Sequence, residues 1–291
     1  MSGWYAIFIV SFILYVGMTC GGQNRFDDGL SVAKFKVSPP PQSMTRAELY
    51  LWSHSIPQRP NGALIVVPGL NGDGRDVFLD VKWRSFAKEH GLFLIGVSFA
   101  SVIDGLRAGK GYYYPEQGSG IVLLDGLRTF KCENVPLFLY GFSGGAHFVS
   151  RFVQWHPQNV RAWCAYAAAW WTMPVEDFVL PPGIVACGGD DFRVAASRNY
   201  FHAGRERGAQ WLWVEMAGVG HVRSYRLEDF FRSYARVLLV GKMNEGVWVN
   251  VLSGERETMA FQVKSPCAMG WLPDRSLYCQ WLKLCWKGGR W

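Results

Sequence analysis

The sequence predicts an α/β protein: a mostly parallel central sheet with helices on both faces. Two features predict it, namely short runs that are apolar at every position and segments of helical period that alternate with them. A strand that is apolar on both sides needs cover on both sides, which a parallel sheet between helical layers supplies. The chain of 291 residues, 49% hydrophobic and 18% charged, is long enough for one large core and too apolar for disorder.

The elements follow in order. An uncharged, almost wholly apolar run extends from Trp4 to Met18, with Cys20 shortly after it. Residues 1–22 therefore read as a signal peptide or as a retained membrane or lipid anchor. Each reading puts the body of the protein outside the cytoplasm: secreted, periplasmic or membrane-anchored. Residues 23–45, polar and containing SPPPQS at 38–43, read as a linker. RAELYLWSH (46–54) alternates well enough for an edge strand. The two-sided strands are ALIVVPG (63–69), LFLIGVSF (92–99), PLFLYG (136–141), VRAWCAYAA (160–168), GIVACG (183–188) and QWLWVEM (210–216). Helical spacing falls between them at 77–91, 118–131, 145–157 and 194–208, and 224–241 closes the series. The first of these helices ends in Lys88, His90 and Gly91, a basic last turn followed by glycine. Right-handed crossovers bring the C-terminal ends of the parallel strands to one edge, where sites form. A domain over 46–241 results. Residues 242–291 add two strand-like runs around Ser253-Gly254 and then a helix, as a hairpin and helix packed on that domain.

Composition excludes several classes of function. The net charge of +7 is spread in ones and twos, without the basic stripe that nucleic acid requires. No pair of cysteines has CxxC spacing and no His/Cys cluster has zinc spacing, so no structural metal is expected. Cys164 and Cys187 fall in strand-like runs as buried thiols, whereas Cys267, Cys279 and Cys285 cluster closely enough for one disulfide among them.

Chemistry enters where the run 136–141 stops. Gly141-Phe142-Ser143-Gly144-Gly145 has the G-x-S-x-G pattern of a nucleophile elbow, placed between a strand and a helix. The tight turn projects the serine hydroxyl beyond the sheet, at a helix N-terminus that favours negative charge. A serine hydroxyl needs a base. Among six histidines, His221 alone follows a two-sided strand through a glycine-rich loop, and so shares the edge with Ser143. An acid must fix the imidazole tautomer, and Asp190 and Asp191 stand just past strand 183–188. Asp191 is preferred, Asp190 being the alternative acid. For the oxyanion, the loop VVPGLNGDGRD (66–76) brings the Leu70 N–H to pair with that of Gly144; Pro68 has none to give. Such a donor is commonly worth ~3 kcal/mol.

A nucleophile serine, then an acid, then a histidine, each after its own strand, resembles the α/β-hydrolase superfamily over residues 46–241. The short spacing from Ser143 to His221 leaves no room for a large lid, which is similar to the feruloyl esterases and polyhydroxybutyrate depolymerases. Pro68 departs from the histidine that many members carry before the oxyanion glycine. The resemblance implies hydrolysis of a small-molecule or polymer-linked ester through an acyl-enzyme on Ser143, without metal or cofactor. Tyr113, in GKGYYYPEQGSG, and Trp170 and Trp171, in AAAWWTMP, leave strands on the same edge as candidate substrate-binding residues. A peptidase or acyltransferase of the same fold, or a surface binding protein without turnover, are the rival expectations.

Overall fold

A computed structural model describes residues 21–25, 31–52, 60–174, 180–241, 246–256 and 266–285. Residues 1–20, nearly all of the expected signal peptide or anchor, lie outside the described residues.

The strands are β1 (Gly21–Arg25), β2 (Ser31–Lys36), β3 (Arg46–Trp52), β4 (Gly62–Val67), β5 (Leu92–Ala100), β6 (Leu137–Phe142), β7 (Val160–Tyr166), β8 (Gly183–Gly188) and β9 (Trp211–Met216). They form one nine-stranded sheet in the order β1-β2-β3-β5-β4-β6-β7-β8-β9. From β5 to β9 every pairing is parallel, and β1 to β3 run antiparallel beside them. The sheet corrects two expectations. Residues 31–36 are a sheet strand and not linker, and 46–52 is an inner strand flanked by β2 and β5. The reason is visible in the register: Val32 and Phe35 of β2 are buried, so two apolar residues in an otherwise polar stretch suffice to seat it.

The helices are α1 (Val81–Glu89), α2 (Ile103–Arg107), α3 (Ser119–Thr129), α4 (Gly144–Trp155), α5 (Val194–Glu206) and α6 (Tyr225–Leu239). One layer holds α1 and α6, joined by Trp83 and Phe231, whose rings both pack on Tyr140 of β6. The other layer holds α3, α4 and α5: Phe148 of α4 packs on Phe99 of β5, and Tyr200 of α5 on Trp211 of β9. The helix expected at 77–91 is divided. A 3-10 turn spans Gly74–Leu79, and α1 starts afresh because the Asp80 carboxylate accepts the Lys82 N–H at 2.9 Å.

The tail adds β10 (Val247–Asn250), β11 (Met269–Leu272) and α7 (Tyr278–Cys285). β10 pairs with β11 along its length, and its Val249 also bridges Arg256 in the run expected after Ser253-Gly254, most of which lies outside the described residues. The tail is tied to the domain by Trp281, fully buried, whose indole N–H donates to Trp213 O at 3.0 Å. Cys267, Cys279 and Cys285 are free thiols, so the disulfide expected among them is not formed. In α7, Cys285 is buried while Cys279 is exposed.

Candidate active site

β6 ends at Phe142 and α4 begins at Gly144, with Ser143 alone at the elbow between them. Its φ of +52° lies in the left-handed region, which costs a non-glycine residue energy and is tolerated where the surroundings enforce it. The enforcement is contact between backbones. A Cβ on Gly141 would sit 2.4 Å from Gly145 O, and one on Gly145 would sit 2.1 Å from Val67 O. The Ser143 N–H donates to Tyr166 O at 2.8 Å, which fixes the elbow to β7.

The three residues expected from separate strands meet here. His221 Nε2 lies 2.9 Å from Ser143 Oγ, and His221 Nδ1 lies 2.7 Å from Asp191 Oδ2. His221 follows β9, and its ring stacks on Phe142 with centroids 5.2 Å apart. The loop that carries it is held by Tyr166, whose hydroxyl donates to Val222 O at 2.6 Å.

Asp191 has a fully buried side chain. Burial acts to raise its pKa, but hydrogen bonds from His221 and from Arg193 outweigh it and hold the carboxyl below its ordinary value. Arg193 gives Asp191 Oδ1 two donors, its backbone N–H at 3.1 Å and its guanidinium Nη1 at 2.9 Å. Asp190, the alternative acid, is exposed and turns its N–H to Val219 O at 3.0 Å, so the carboxylate bonded to His221 is that of Asp191.

The Leu70 N–H lies beside Gly144: a Cβ added there would meet Leu70 N at 2.7 Å. The turn bearing Leu70 is closed by Gly72 N to Gly69 O at 2.9 Å and clamped from two sides. Asn71 exchanges side-chain hydrogen bonds with the backbone of Ser101, both at 3.1 Å, and Arg46 donates to the carbonyls of Asn71 and Gly72 at 2.6 Å. Nearby, Asp73 is held at about 2: burial alone would raise it, and the hydrogen bonds from Arg75 and Ser98 overcome that.

The aromatic candidates divide. Trp170 is 46% exposed. Tyr113 is buried, its ring stacked on His147 at 4.3 Å and 6.4 Å from Trp170. Trp171 turns onto Tyr200 at 4.3 Å and packs there. The sequence assigns no role to Arg193 or Asn71; it offers Tyr112 only within the three-tyrosine run of GKGYYYPEQGSG, and His147 only as one of the six histidines. The i, i+4, i+7 spacing of His147, Arg151 and Gln154 on α4 was the one signal available for the last.

No protein-family model matches the chain, and no curated protein matches it. Solved structures do. The poly(3-hydroxybutyrate) depolymerase LpqC from Bordetella parapertussis is 17% identical and superposes with a TM-score of 0.52 over 75% of this chain and 91% of its own. FphF, a fluorophosphonate-binding serine hydrolase of Staphylococcus aureus, is 13% identical with a TM-score of 0.51 over 72% and 98%. Esterase PE8 is 18% identical with a TM-score of 0.51 over 64% and 96%. The chain has the α/β-hydrolase fold.

Proposed function

We propose that this protein is a serine hydrolase that cleaves carboxylic esters through an acyl-enzyme on Ser143. The observation that carries the reading is the unbroken chain of contacts from Ser143 Oγ through His221 to Asp191, at 2.9 and 2.7 Å. His221 Nε2 takes the serine proton as Oγ attacks the ester carbonyl, and returns it to the departing alcohol. Water activated by the same imidazole then hydrolyses the acyl-enzyme. Asp191, ionised at working pH, holds the Nδ1–H tautomer and stabilises the imidazolium. The Leu70 and Gly144 N–H groups receive the oxyanion, and the positive end of α4 adds to that field. Trp170, on the same edge, forms an apolar wall for the substrate. The neighbours support the reading, as they include an esterase, a depolymerase and a fluorophosphonate-binding serine hydrolase. Export is part of the proposal and rests on the uncharged run Trp4 to Met18.

The test is labelling by a fluorophosphonate probe together with hydrolysis of a short-chain p-nitrophenyl ester, beside Ser143→Ala. Labelling and turnover that vanish in the variant are expected. A folded wild type that neither labels nor turns over refutes the reading.

A further inference from the structure

The phenol of Tyr112 enters the site from the loop after β5. A Cβ on Gly144 would lie 2.5 Å from the Tyr112 hydroxyl oxygen and 2.7 Å from Leu70 N, so the hydroxyl and a proposed oxyanion donor converge on one point beside the residue that supplies the other donor. The next N–H of the same turn, that of Asn71, donates to the Tyr112 oxygen in a long contact of 3.4 Å. That bond occupies a lone pair, while the phenolic hydrogen is shared with the Tyr113 hydroxyl and must turn from it to reach a developing charge beside Leu70.

The phenol is held firmly. Tyr112 is 1% exposed, with its ring edge-on to Phe99 at 6.2 Å and to Tyr113 at 4.8 Å. Its backbone is bonded at both ends: the N–H donates to Ser101 Oγ and the carbonyl accepts from Ser119 Oγ, each at 3.0 Å. Ser101 also shares the Asn71 clamp, so the phenol and the Leu70 turn are braced by the same residue. With the ring fixed in advance, only the O–H need turn when charge appears, and such preorganised donors cost little to recruit.

We propose that the Tyr112 hydroxyl is a third donor to the oxyanion, beside the Leu70 and Gly144 N–H groups; the assignment rests on Ser143 being the nucleophile. As Ser143 Oγ bonds to the carbonyl carbon, its proton passes to His221 Nε2 and the C=O π pair moves onto oxygen. Tyr112 then shares its hydrogen with that oxygen without transferring it. Burial pushes the phenol well above the usual tyrosine range, so the hydrogen is retained wherever the enzyme works.

The experiment compares wild type, Ser143→Ala and Tyr112→Phe in steady-state hydrolysis of p-nitrophenyl butyrate. It also measures the affinity of each for a trifluoromethyl ketone, whose adduct with serine carries the oxyanion, and melts each protein. Tyr112→Phe is expected to lower kcat about 10- to 100-fold with little change in KM, and to weaken the ketone by a similar factor. A folded Tyr112→Phe protein with kcat and ketone affinity within about twofold of wild type overturns the proposal. So does a loss confined to KM, which would make the hydroxyl a ground-state contact. Where Tyr112→Phe fails to fold, 3-fluorotyrosine at position 112 keeps the hydroxyl and its packing but makes it a stronger donor. A joint shift of kcat and ketone affinity at unchanged melting temperature supports the role, and no shift in either overturns it. A wild type without turnover that depends on Ser143 fails the hydrolase reading itself, and the third donor with it.

Discussion

The Asp191 carboxylate serves two partners with two oxygens: Oδ2 faces His221 Nδ1, and Oδ1 takes both donors of Arg193. Buried and doubly bonded, it cannot rotate away from the imidazole, whereas Asp190 next to it is exposed. Asp191→Asn is therefore expected to lower kcat by about 10³- to 10⁴-fold, because the amide permits the wrong tautomer, while Asp190→Asn stays within about twofold of wild type. Comparing kcat for the two variants on one ester checks this. Arg193 has its own signature. Its charge offsets that of Asp191, and the other titratable neighbours of this carboxylate, Tyr166 and Cys187, are pushed up by burial and stay neutral. Arg193→Gln removes the guanidinium donor to Oδ1 and should lower kcat, with Arg193→Lys restoring part of the loss; a kcat within about twofold of wild type would deny the coupling.

At the scale of elements, α4 does more than follow Ser143 at the elbow. His147, Arg151 and Gln154 lie at i, i+4 and i+7 on one helix face and hold the loop after β7. His147 Nδ1 donates to Trp170 O at 2.9 Å and its Nε2 accepts the Ala169 N–H at 3.1 Å; Arg151 adds a second donor to Trp170 O at 2.8 Å, and Gln154 reaches Thr172 O at 3.0 Å. The elbow and the segment presenting Trp170 thus share one rigid frame. This frame is sensitive to acid. Burial, with Arg151 and Arg193 nearby, lowers His147 to about 3 from 6.5. Tyr113 and the Trp170 carbonyl complete its surroundings. Between those two values the unfolded chain binds a proton that the folded one refuses, so stability falls as pH drops from about 6.5 toward 3. Asp73, held at about 2, removes further stability as pH falls from 3.8 toward that value. Melting temperature measured from pH 7 to pH 4 should decline in wild type, and the slope should be shallower in His147→Gln. Equal slopes would refute the assignment.

For the whole molecule, the tail is part of the folded body. Arg205 of α5 reaches Met269 O of β11 at 2.6 Å and lies over the Trp248 ring of β10, while Ala217 N–H donates to Cys285 O at 3.3 Å. Trp281, fully buried against β9, closes the seam. Its replacement by alanine removes a large buried ring and should cost about 3–5 kcal/mol of unfolding free energy. Denaturant titration checks the value, and a loss under about 1 kcal/mol would mean the tail packs only loosely. Since β9 also leads into the His221 loop, the variant should lose activity on warming earlier than wild type.

The alternation of two-sided strands and amphipathic helices was enough to give the α/β class, and the glycines around Ser143 were enough to mark the elbow. Both are local signals, set by apolar period and by backbone that tolerates no Cβ. The order Ser143, Asp191, His221 along the chain followed from counting strand ends, since parallel strands deliver their C-terminal ends to one edge. Other features depended on contacts between distant segments. Val32 and Phe35 make β2 a sheet strand only because β3 is there to pair with, and Met269–Leu272 gives β10 a partner from beyond the expected hairpin in the same way. Asp190 and Asp191 are chemically equal neighbours in the sequence; which one meets His221 is decided by the direction each side chain takes once β8 and the His221 loop are packed. Arg193 and Asn71 carry no pattern of their own, because a clamp is defined by distance to groups far along the chain. The sequence by itself determined which groups reach the shared edge, and the tertiary structure decided which of them touch.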